Sequence, residues 1–519
     1  MIYEFISFFY SHFDQLIVKS LEQLNLVIFS TAGALVIGLL LSLIAMSSPL
    51  LKRSLMTLSA IIWTIPSLAL LAFLIPIMGI GFKPAFCVLM LFGILPIFRG
   101  TISAFEAINP RIFESAEALG LNRKQILSQI VLPLILPGIF HGVRTSTVIC
   151  VGIATLAAFI GAGGLGDFIN QGISSNNGKL IMLGAVPSAL MALGLDLFLH
   201  KIEVWLFERR KAISYRKAKL LVALILLLFP SLTLIPDLFT THDGKHVIVV
   251  GSKDSTEQFI LAEMISEVIE KKTDLNVVRK FNLGSESILH SAMIRGDVDI
   301  YPEYTGSAWF SILNRPYQGE SSQAMLEELK SEYSSQYAIE WLCPFGFNNS
   351  ASIVVKKYLS DQLGMTTLSQ LVPFHKKLTV ATETETAMRD DGLPGLKGAY
   401  GLEFSKIKIL SAAMLYLALE NDEADIVTGF TTDGPLTSEE FITLIDDRSF
   451  FPPYDAVPLV TQKVIKEHPQ VVQALNTLSG QLTSERMRKL NYQVEVEHRS
   501  VSDVVHEFLR ENIFSQNDS

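Results

Sequence analysis

The stretch Tyr301-Pro-Glu-Tyr304-Thr-Gly306-Ser307 gathers two aromatic rings, a carboxylate and two hydroxyls into one short run. Groups of this kind, clustered at the end of a structural element, suit the capture of a small polar or cationic molecule. Arg389-Asp-Asp391-Gly392 carries a guanidinium that can offer a two-pronged hydrogen bond to a carboxylate. Tyr454 follows Pro452 and Pro453, which hold it rigidly as either a hinge or an anchor. Gln258 stands three residues after Ser255, and that spacing alone makes it the partner in a helix-capping box. Covalent chemistry has no comparable support. The ten histidines show no metal-ligand spacing, no G-x-S-x-G occurs, and Cys87, Cys150 and Cys343 are too few for a disulfide framework or a four-ligand zinc site. The expected activity is binding, with no catalytic residue, no metal and no cofactor held by this chain.

Two α/β lobes are expected to position these groups. Strand signals at His246–Val250, Leu275–Phe281 and Asp297–Tyr301 alternate with helices from Ser255 to about Lys271 and from Ser285 to Arg295. Tyr301–Ser307 then follows the third strand, at the carboxyl edge where parallel sheets bind ligands. A second set has strands at Ala351–Lys357, Lys377–Thr382 and Asp425–Phe430. Gly296-Asp-Val-Asp-Ile-Tyr301 and Asn421-Asp-Glu-Ala-Asp-Ile-Val427 echo each other between the sets. Lobe 1 is expected over about 245–350 and 455–519, and lobe 2 over about 351–454, with the ligand in the cleft between them.

The first half of the chain is different in kind. Overall the 519 residues are 49% hydrophobic and only 18% charged, an average over two unlike halves. Long apolar runs fall at Leu24–Met46, Leu55–Met78, Pro84–Arg99, Gly138–Ile160, Ile181–Leu199 and Leu220–Phe239, each close to the roughly 20 residues that cross a bilayer. The expected organisation is an interfacial segment 1–22, an all-α membrane domain 23–241 and an extracytoplasmic domain 242–519. Lys52, Arg53, Arg99, Arg111, Arg123, Lys124, Lys201 and the cluster from Arg209 to Lys219 fall in one set of connections, against Lys19, Lys83 and Lys179 in the other. The richer set is therefore expected in the cytoplasm. A net charge of −9 argues against nucleic acid as a partner.

Two loops of this half attract attention. The cytoplasmic stretch around Glu114-Ser-Ala116-Glu-Ala-Leu-Gly120 predicts a short helix that Glu114 and Glu117 help to start, a turn at Gly120, and a second amphipathic helix running into Leu132-Pro133. Gly161-Ala-Gly163-Gly164-Leu-Gly166 lacks the preceding strand of a phosphate-binding loop and is expected to be a flexible turn capping a membrane helix. Asp196, costly within a span, is expected to pair with Arg144. No Walker motif is present, so any ATP must be bound by another subunit.

The spacing E-x-A-(x)3-G-(x)9-I-x-L-P, here from Glu114 to Pro133 with Ser115 at the position usually held by alanine, resembles the coupling motif of bacterial ABC importer permeases. Trp63-Thr-Ile-Pro66-Ser-Leu-Ala69 and the Gly161–Gly166 loop resemble the quaternary-amine members of that family. Gly251-Ser-Lys253, Thr256-Glu-Gln258, Tyr301–Gly306, Arg389-x-Asp391-Gly392, Thr432-Asp433-Gly434 and Pro452-Pro-Tyr454 resemble their betaine-, choline- and carnitine-binding proteins. The resemblance implies a permease fused to a type II periplasmic-binding-protein domain in a bacterial inner membrane. It further implies a separate ATPase gripped through Glu114, Ala116, Gly120, Leu132 and Pro133, a homodimeric membrane domain set in lipid, and a gate near Gly161, Gly163, Gly164 and Gly166. The ligand would be a betaine or other quaternary amine. By resemblance Tyr304 and Tyr454 match two walls of a tyrosine cage, Phe430 replaces a third, and Asn349 with Ala351 stands where the family has Asn-Asn-Thr-Tyr, so the fourth ring is absent. Arg389 would hold a carboxylate, with Gln258 and Ser307 beside the ligand. The missing ring predicts a ligand bulkier than glycine betaine, such as carnitine or ergothioneine. Export, bile resistance or ligand sensing are the alternative functions.

Overall fold

The computed structural model describes residues 8–10, 12–174, 177–207, 247–284 and 286–514. The chain folds as two compact units whose main division falls between Asp243 and Gly244. The first unit is helical, with α1 (Phe13–Ala45), α2 (Pro49–Thr64), α3 (Ser67–Met78), α4 (Phe82–Glu106), α5 (Pro110–Ala118), α6 (Arg123–Ile160), α7 (Gly166–Ser174) and α8 (Gly178–Phe207). Among the described residues, α1, α4, α6 and α8 are each long and apolar enough to cross a membrane, and α2 with α3 is a pair bent by 93° that is long and apolar enough only when taken together, as a broken span or a re-entrant loop. Leu55–Met78, expected as one span, is therefore broken. Proline disfavours helix in the residue before it, and Ile65, preceding Pro66, is extended at φ −75, ψ 129. The bent pair still joins both ends of the bundle. Lys52, near the start of α2, pairs with Glu106 at the end of α4, while Gly81 N–H beyond α3 donates to Ile160 O at 2.7 Å. From Phe13 the expected interfacial segment runs without a break into α1. The expected sixth span, Leu220–Phe239, and the cations from Arg209 to Lys219 lie outside the described residues.

Glycine sets the closest helix contact. A Cβ on Gly100 in α4 would lie 2.4 Å from Gly138 O in α6, and one on Gly142 would lie 2.7 Å from Ile97 Cα. Where lipid removes the hydrophobic drive between helices, such close backbone approach supplies the attraction. Asp196 of α8 does pair with Arg144 of α6, with Nη2 2.7 Å from Oδ2.

The second unit holds two five-stranded sheets, ordered β2-β1-β3-β10-β4 and β7-β6-β8-β5-β9. In the first, β1 (Val247–Gly251) pairs in parallel with β2 (Asn276–Lys280) and β3 (Ile300–Tyr304), and β10 (Ala456–Thr461) runs antiparallel to β3 and to β4 (Ile339–Trp341). In the second, β6 (Thr379–Thr382) lies parallel to β7 (Lys406–Ile409) and β8 (Ile426–Phe430), with β5 (Ala351–Lys356) antiparallel to β8 and β9 (Phe441–Leu444). The parallel pairing expected of the first three strands holds for β1, β2 and β3, but in the similar second set Ala351–Lys356 runs antiparallel. The antiparallel members β5 and β10 are the strands by which the chain enters lobe 2 and returns to lobe 1. The echoed passages perform one task twice: Asp299 Oδ2 accepts from Val249 N–H at 2.9 Å, and Asp425 Oδ2 accepts from Thr379 N–H at 2.7 Å.

Helix α9 (Thr256–Lys272) is buried along most of its length against the first sheet and the C-terminal helices Ser484–Glu495 and Val501–Leu509. Removing that much apolar surface from water is the main stabilisation of lobe 1. Helix α10 (Glu286–Arg295) follows β2 and opens at the carboxyl edge of the sheet.

Candidate functional site

The third strand runs three residues further than expected, so Pro302, Glu303 and Tyr304 are strand and not the turn beyond it. Pro302 is matched in register with Pro458, which places both missing N–H groups at one rung of the ladder. Tyr304, the last strand residue, is buried and donates its hydroxyl to Glu257 Oε1 at 2.5 Å. Ser307 is buried in the short helix that continues from the strand.

Glu257 is the hub of this edge. Its carboxylate also accepts from Asn349 Nδ2 at 2.9 Å, Thr432 Oγ1 at 2.6 Å and Asn491 Nδ2 at 3.0 Å. These donors come from the connection between lobes, from lobe 2 and from the C-terminal helix. Burial raises the pKa of Glu257, and the four hydrogen bonds oppose that rise. Beside it, Lys253 makes a buried ion pair with Glu303, and its ammonium lies 4.9 Å from the Tyr304 ring centre. Gln258 does not cap its helix. Ser255 makes no side-chain cap, and Gln258 is turned inward, with Oε1 3.4 Å from Lys253 N. Its buried amide nitrogen reaches toward Tyr304 without a hydrogen bond of normal geometry. Tertiary packing of α9 has overridden the local capping pattern.

A second cluster forms around Arg389. Asp391 grips the guanidinium through both oxygens, at 2.8 Å to Nε and 2.6 Å to Nη2, so that edge is not open to a ligand. Nη2 also reaches Tyr454 Oη at 2.7 Å, and the Tyr454 hydroxyl bonds to Asp391. Nη1 faces Glu286 Oε1 on lobe 1 at 3.4 Å. Tyr454 lies against Gly306, where an added Cβ would sit 2.5 Å from the ring. Burial pushes the hydroxyls of Tyr304 and Tyr454 well above the ordinary tyrosine range.

Phe430 and Ala351 face each other across the antiparallel pair β8 and β5. With Ile353, Thr386, Thr428 and Phe451 they line a small depression in lobe 2, to which Ala351 contributes no ring. Among the described residues no ring contact joins Tyr304, Phe430 and Tyr454. The two tyrosines are instead anchored by separate carboxylates, Glu257 and Asp391. Glu257 and Glu286 look in sequence like ordinary acidic residues in the first turn of a helix. Only the fold shows that they face inward.

In the helical unit, the elbow from Pro110 to Pro133 is built from local signals. Asn109 caps α5 ahead of Pro110, which puts Glu114 and Glu117 beyond the first turn, contrary to expectation. Ala116 is buried, Glu114 is exposed and Leu119 is 80% exposed. Gly120 takes φ +78, and Leu121 N–H closes on Ala116 O at 3.2 Å, a left-handed helix end. Asn122 and Gln125 then form a reciprocal capping box. The next helix does not stop at Pro133. A π-helical segment, Leu127–Val131, with Leu132 N–H bonded to Leu127 O, carries it past the proline. The Gly161–Gly166 loop does cap the end of α6, with Gly161 at φ +71 and Ala162 N–H bonded to Ala157 O at 3.2 Å, but it is held by side chains of α1. Gly164 N–H donates to Glu22 Oε2 and Leu165 N–H to Gln23 Oε1, both at 2.9 Å, and Lys19 pairs with Asp167 at 2.6 Å. A Cβ on Gly163 would lie 2.4 Å from Glu22 Oε2, and one on Gly166 2.2 Å from Thr155 O.

Residues 246–511 match the family model of the substrate-binding domain of ABC-type glycine betaine transport systems. Residues 34–212 match that of the inner-membrane component of binding-protein-dependent transport systems. An ergothioneine transport permease/ergothioneine binding protein of Helicobacter pylori strain G27 is 32% identical over 484 residues, covering 92% of this chain and 86% of its own. A carnitine transport binding protein of Listeria monocytogenes is 33% identical over 52% of this chain and 88% of its own. A choline transport permease of Bacillus subtilis is 33% identical over 38% and 91%. A crystal structure described as a glycine betaine/carnitine/choline ABC transporter is 26% identical over 51% of this chain and 98% of its own, with a TM-score of 0.46.

Proposed function

Because the chain belongs to the ABC importer family for glycine betaine, carnitine, choline and ergothioneine, as a permease fused to its substrate-binding domain, we propose that it captures a betaine bulkier than glycine betaine outside the cell and passes it through its own membrane domain. The family implies a partner ATPase and a small ligand. In this reading Tyr304, Tyr454 and Phe430 offer ring faces to the trimethylammonium group, each contributing on the order of 0.5–2 kcal/mol. Asn349, Gln258 and Ser307 supply polar contacts, and Arg389 takes a ligand carboxylate through Nη1. The observation that supports the size preference is the small side chain of Ala351, paired with Phe430 across β5 and β8, where a ring would narrow the site. The relative at 92% coverage, whose name specifies ergothioneine, supports the same direction.

Orientation is part of the proposal. The basic connections place α5 and the turn at Gly120 in the cytoplasm, with the binding domain outside. The exposed Glu114 and Leu119 would meet the ATPase, while the buried Ala116 and the half-buried Leu132 and Pro133 pass force along α6. Two copies would pair around the path, and tethering would raise each receptor's effective concentration at the pore. The Gly161–Gly166 loop, braced by α1, would serve as a firm outer gate. Titration calorimetry of the full chain in lipid nanodiscs with ergothioneine, carnitine, choline and glycine betaine tests the reading. One of the larger betaines should bind at least tenfold tighter than glycine betaine. Equal affinity for all four would remove the size argument.

A further inference from the structure

Glu286 opens α10 on lobe 1 and is buried at the cleft edge. Its Oε1 accepts from Ser311 Oγ at 2.6 Å and faces Arg389 Nη1 of lobe 2 at 3.4 Å. Asp391 and Tyr454 already occupy the Nε and Nη2 side of that guanidinium. Glu286 therefore meets Arg389 through the nitrogen that a ligand carboxylate would use. That nitrogen carries two N–H groups, so a ligand carboxylate taking the second would lie close beside Glu286, and the two anions would repel each other. Burial alone would raise the pKa of Glu286, but Lys253, Ser311 and Arg389 outweigh it and hold the group below its usual range, so it is a charged acceptor at neutral pH. A carboxylate has about four lone-pair positions, and the two contacts of Oε1 leave capacity for a ligand donor. A buried acceptor also discriminates in a way that ring faces cannot, because a ligand without a matching donor leaves it under-satisfied.

We propose that Glu286 is a specificity-determining residue: it disfavours betaines that bring only a carboxylate to Arg389 and selects those that also carry an O–H or N–H donor. The inference rests on the betaine-binding reading and narrows the ligand class within it.

Carnitine and γ-butyrobetaine differ by one hydroxyl and form a matched pair; ergothioneine supplies ring N–H donors. Calorimetry on the full chain in nanodiscs should give carnitine an advantage of about tenfold over γ-butyrobetaine, the scale of one hydrogen bond to a charged group. In Glu286→Ala that advantage should vanish, with carnitine and ergothioneine weakened about tenfold and γ-butyrobetaine unchanged or tighter as Arg389 is released. Glu286→Gln, which keeps the shape and an acceptor oxygen, should fall between the two. A wild-type protein that does not distinguish the pair, or a Glu286→Ala variant that keeps the wild-type ratio, overturns the assignment. If glycine betaine, carnitine and ergothioneine all fail to bind the wild type, the betaine reading itself falls; binding without discrimination overturns only the role of Glu286.

Discussion

Ala351 and Phe430 stand directly opposite each other across the interior antiparallel strands β5 and β8 of lobe 2, where β5 begins and β8 ends. Paired positions on such strands have Cβ atoms about 4.5–5.5 Å apart, so a ring at 351 would lie against the Phe430 ring and fill the depression they share. Ala351→Tyr should therefore shift preference toward compact ligands. Glycine betaine is expected to gain about 3- to 30-fold, the range of one added cation–π contact, while ergothioneine loses affinity through crowding. Calorimetry with both ligands checks the opposite signs.

Glu257→Gln replaces a buried acceptor of four hydrogen bonds with an amide that must present its NH2 to at least one donor among Tyr304, Asn349, Thr432 and Asn491. The expected cost is about 1–3 kcal/mol, read as a fall of several degrees in the unfolding midpoint of the binding domain. An unchanged midpoint would mean that the hub does not tie the lobes together.

The expected pH dependence is opposite to the usual carboxylate case. Burial first, with Asp433 nearby, raises Glu495 to about 8, and burial raises Asp433 to about 6. Both groups hold protons more tightly folded than unfolded, so their contribution is present in full below their unfolded values, near 4.5 and 3.8. It is lost as pH rises to about 6 for Asp433 and about 8 for Glu495. Glu495 accepts from Gly434 N–H at 3.2 Å, an interaction that an amide can retain. Glu495→Gln should therefore flatten the decline in unfolding free energy between pH 5 and 8, a decline on the order of a few kcal/mol at most. A variant as pH-sensitive as the wild type would assign the effect elsewhere.

Two glycines from the helical unit should behave very differently. Gly166→Ala forces a Cβ to 2.2 Å from Thr155 O, a backbone atom that cannot swing away. Gly120→Ala meets nothing within 4 Å and pays only for its positive φ of +78, about 1 kcal/mol. Size-exclusion profiles of the purified membrane protein should show loss of folded Gly166→Ala and a normal peak for Gly120→Ala.

These contrasts mark how far the sequence could be read. Within the described residues hydropathy located the four helices long enough to cross a membrane and the bent pair α2–α3, and the echo of Asp299 in Asp425 exposed the two lobes, because both signals are periodic or repeated. The elbow at Gly120 and Asn122 was legible for a related reason: turn and cap chemistry is local. Gln258 misled because its capping spacing is also local, while the packing that turns it inward comes from the far end of the chain. Glu257 and Glu286 were hidden for the same cause. Their partners lie between 25 and 234 positions away, and nothing in a first-turn acid reveals that it will be buried.

The proposed cycle has one chain both receiving a betaine and moving it under ATP supplied by a partner. Proteoliposomes containing the full chain and its ATPase, with ATP on the side of α5, test this directly through uptake of labelled ergothioneine and carnitine. The wild type is expected to accumulate at least one of the two only when ATP is present. Glu114→Lys, which alters an exposed residue of α5, should abolish that uptake while ligand binding stays at the wild-type level. Uptake by Glu114→Lys at the wild-type rate, or no ATP-driven uptake of either betaine by the wild type, would contradict the account.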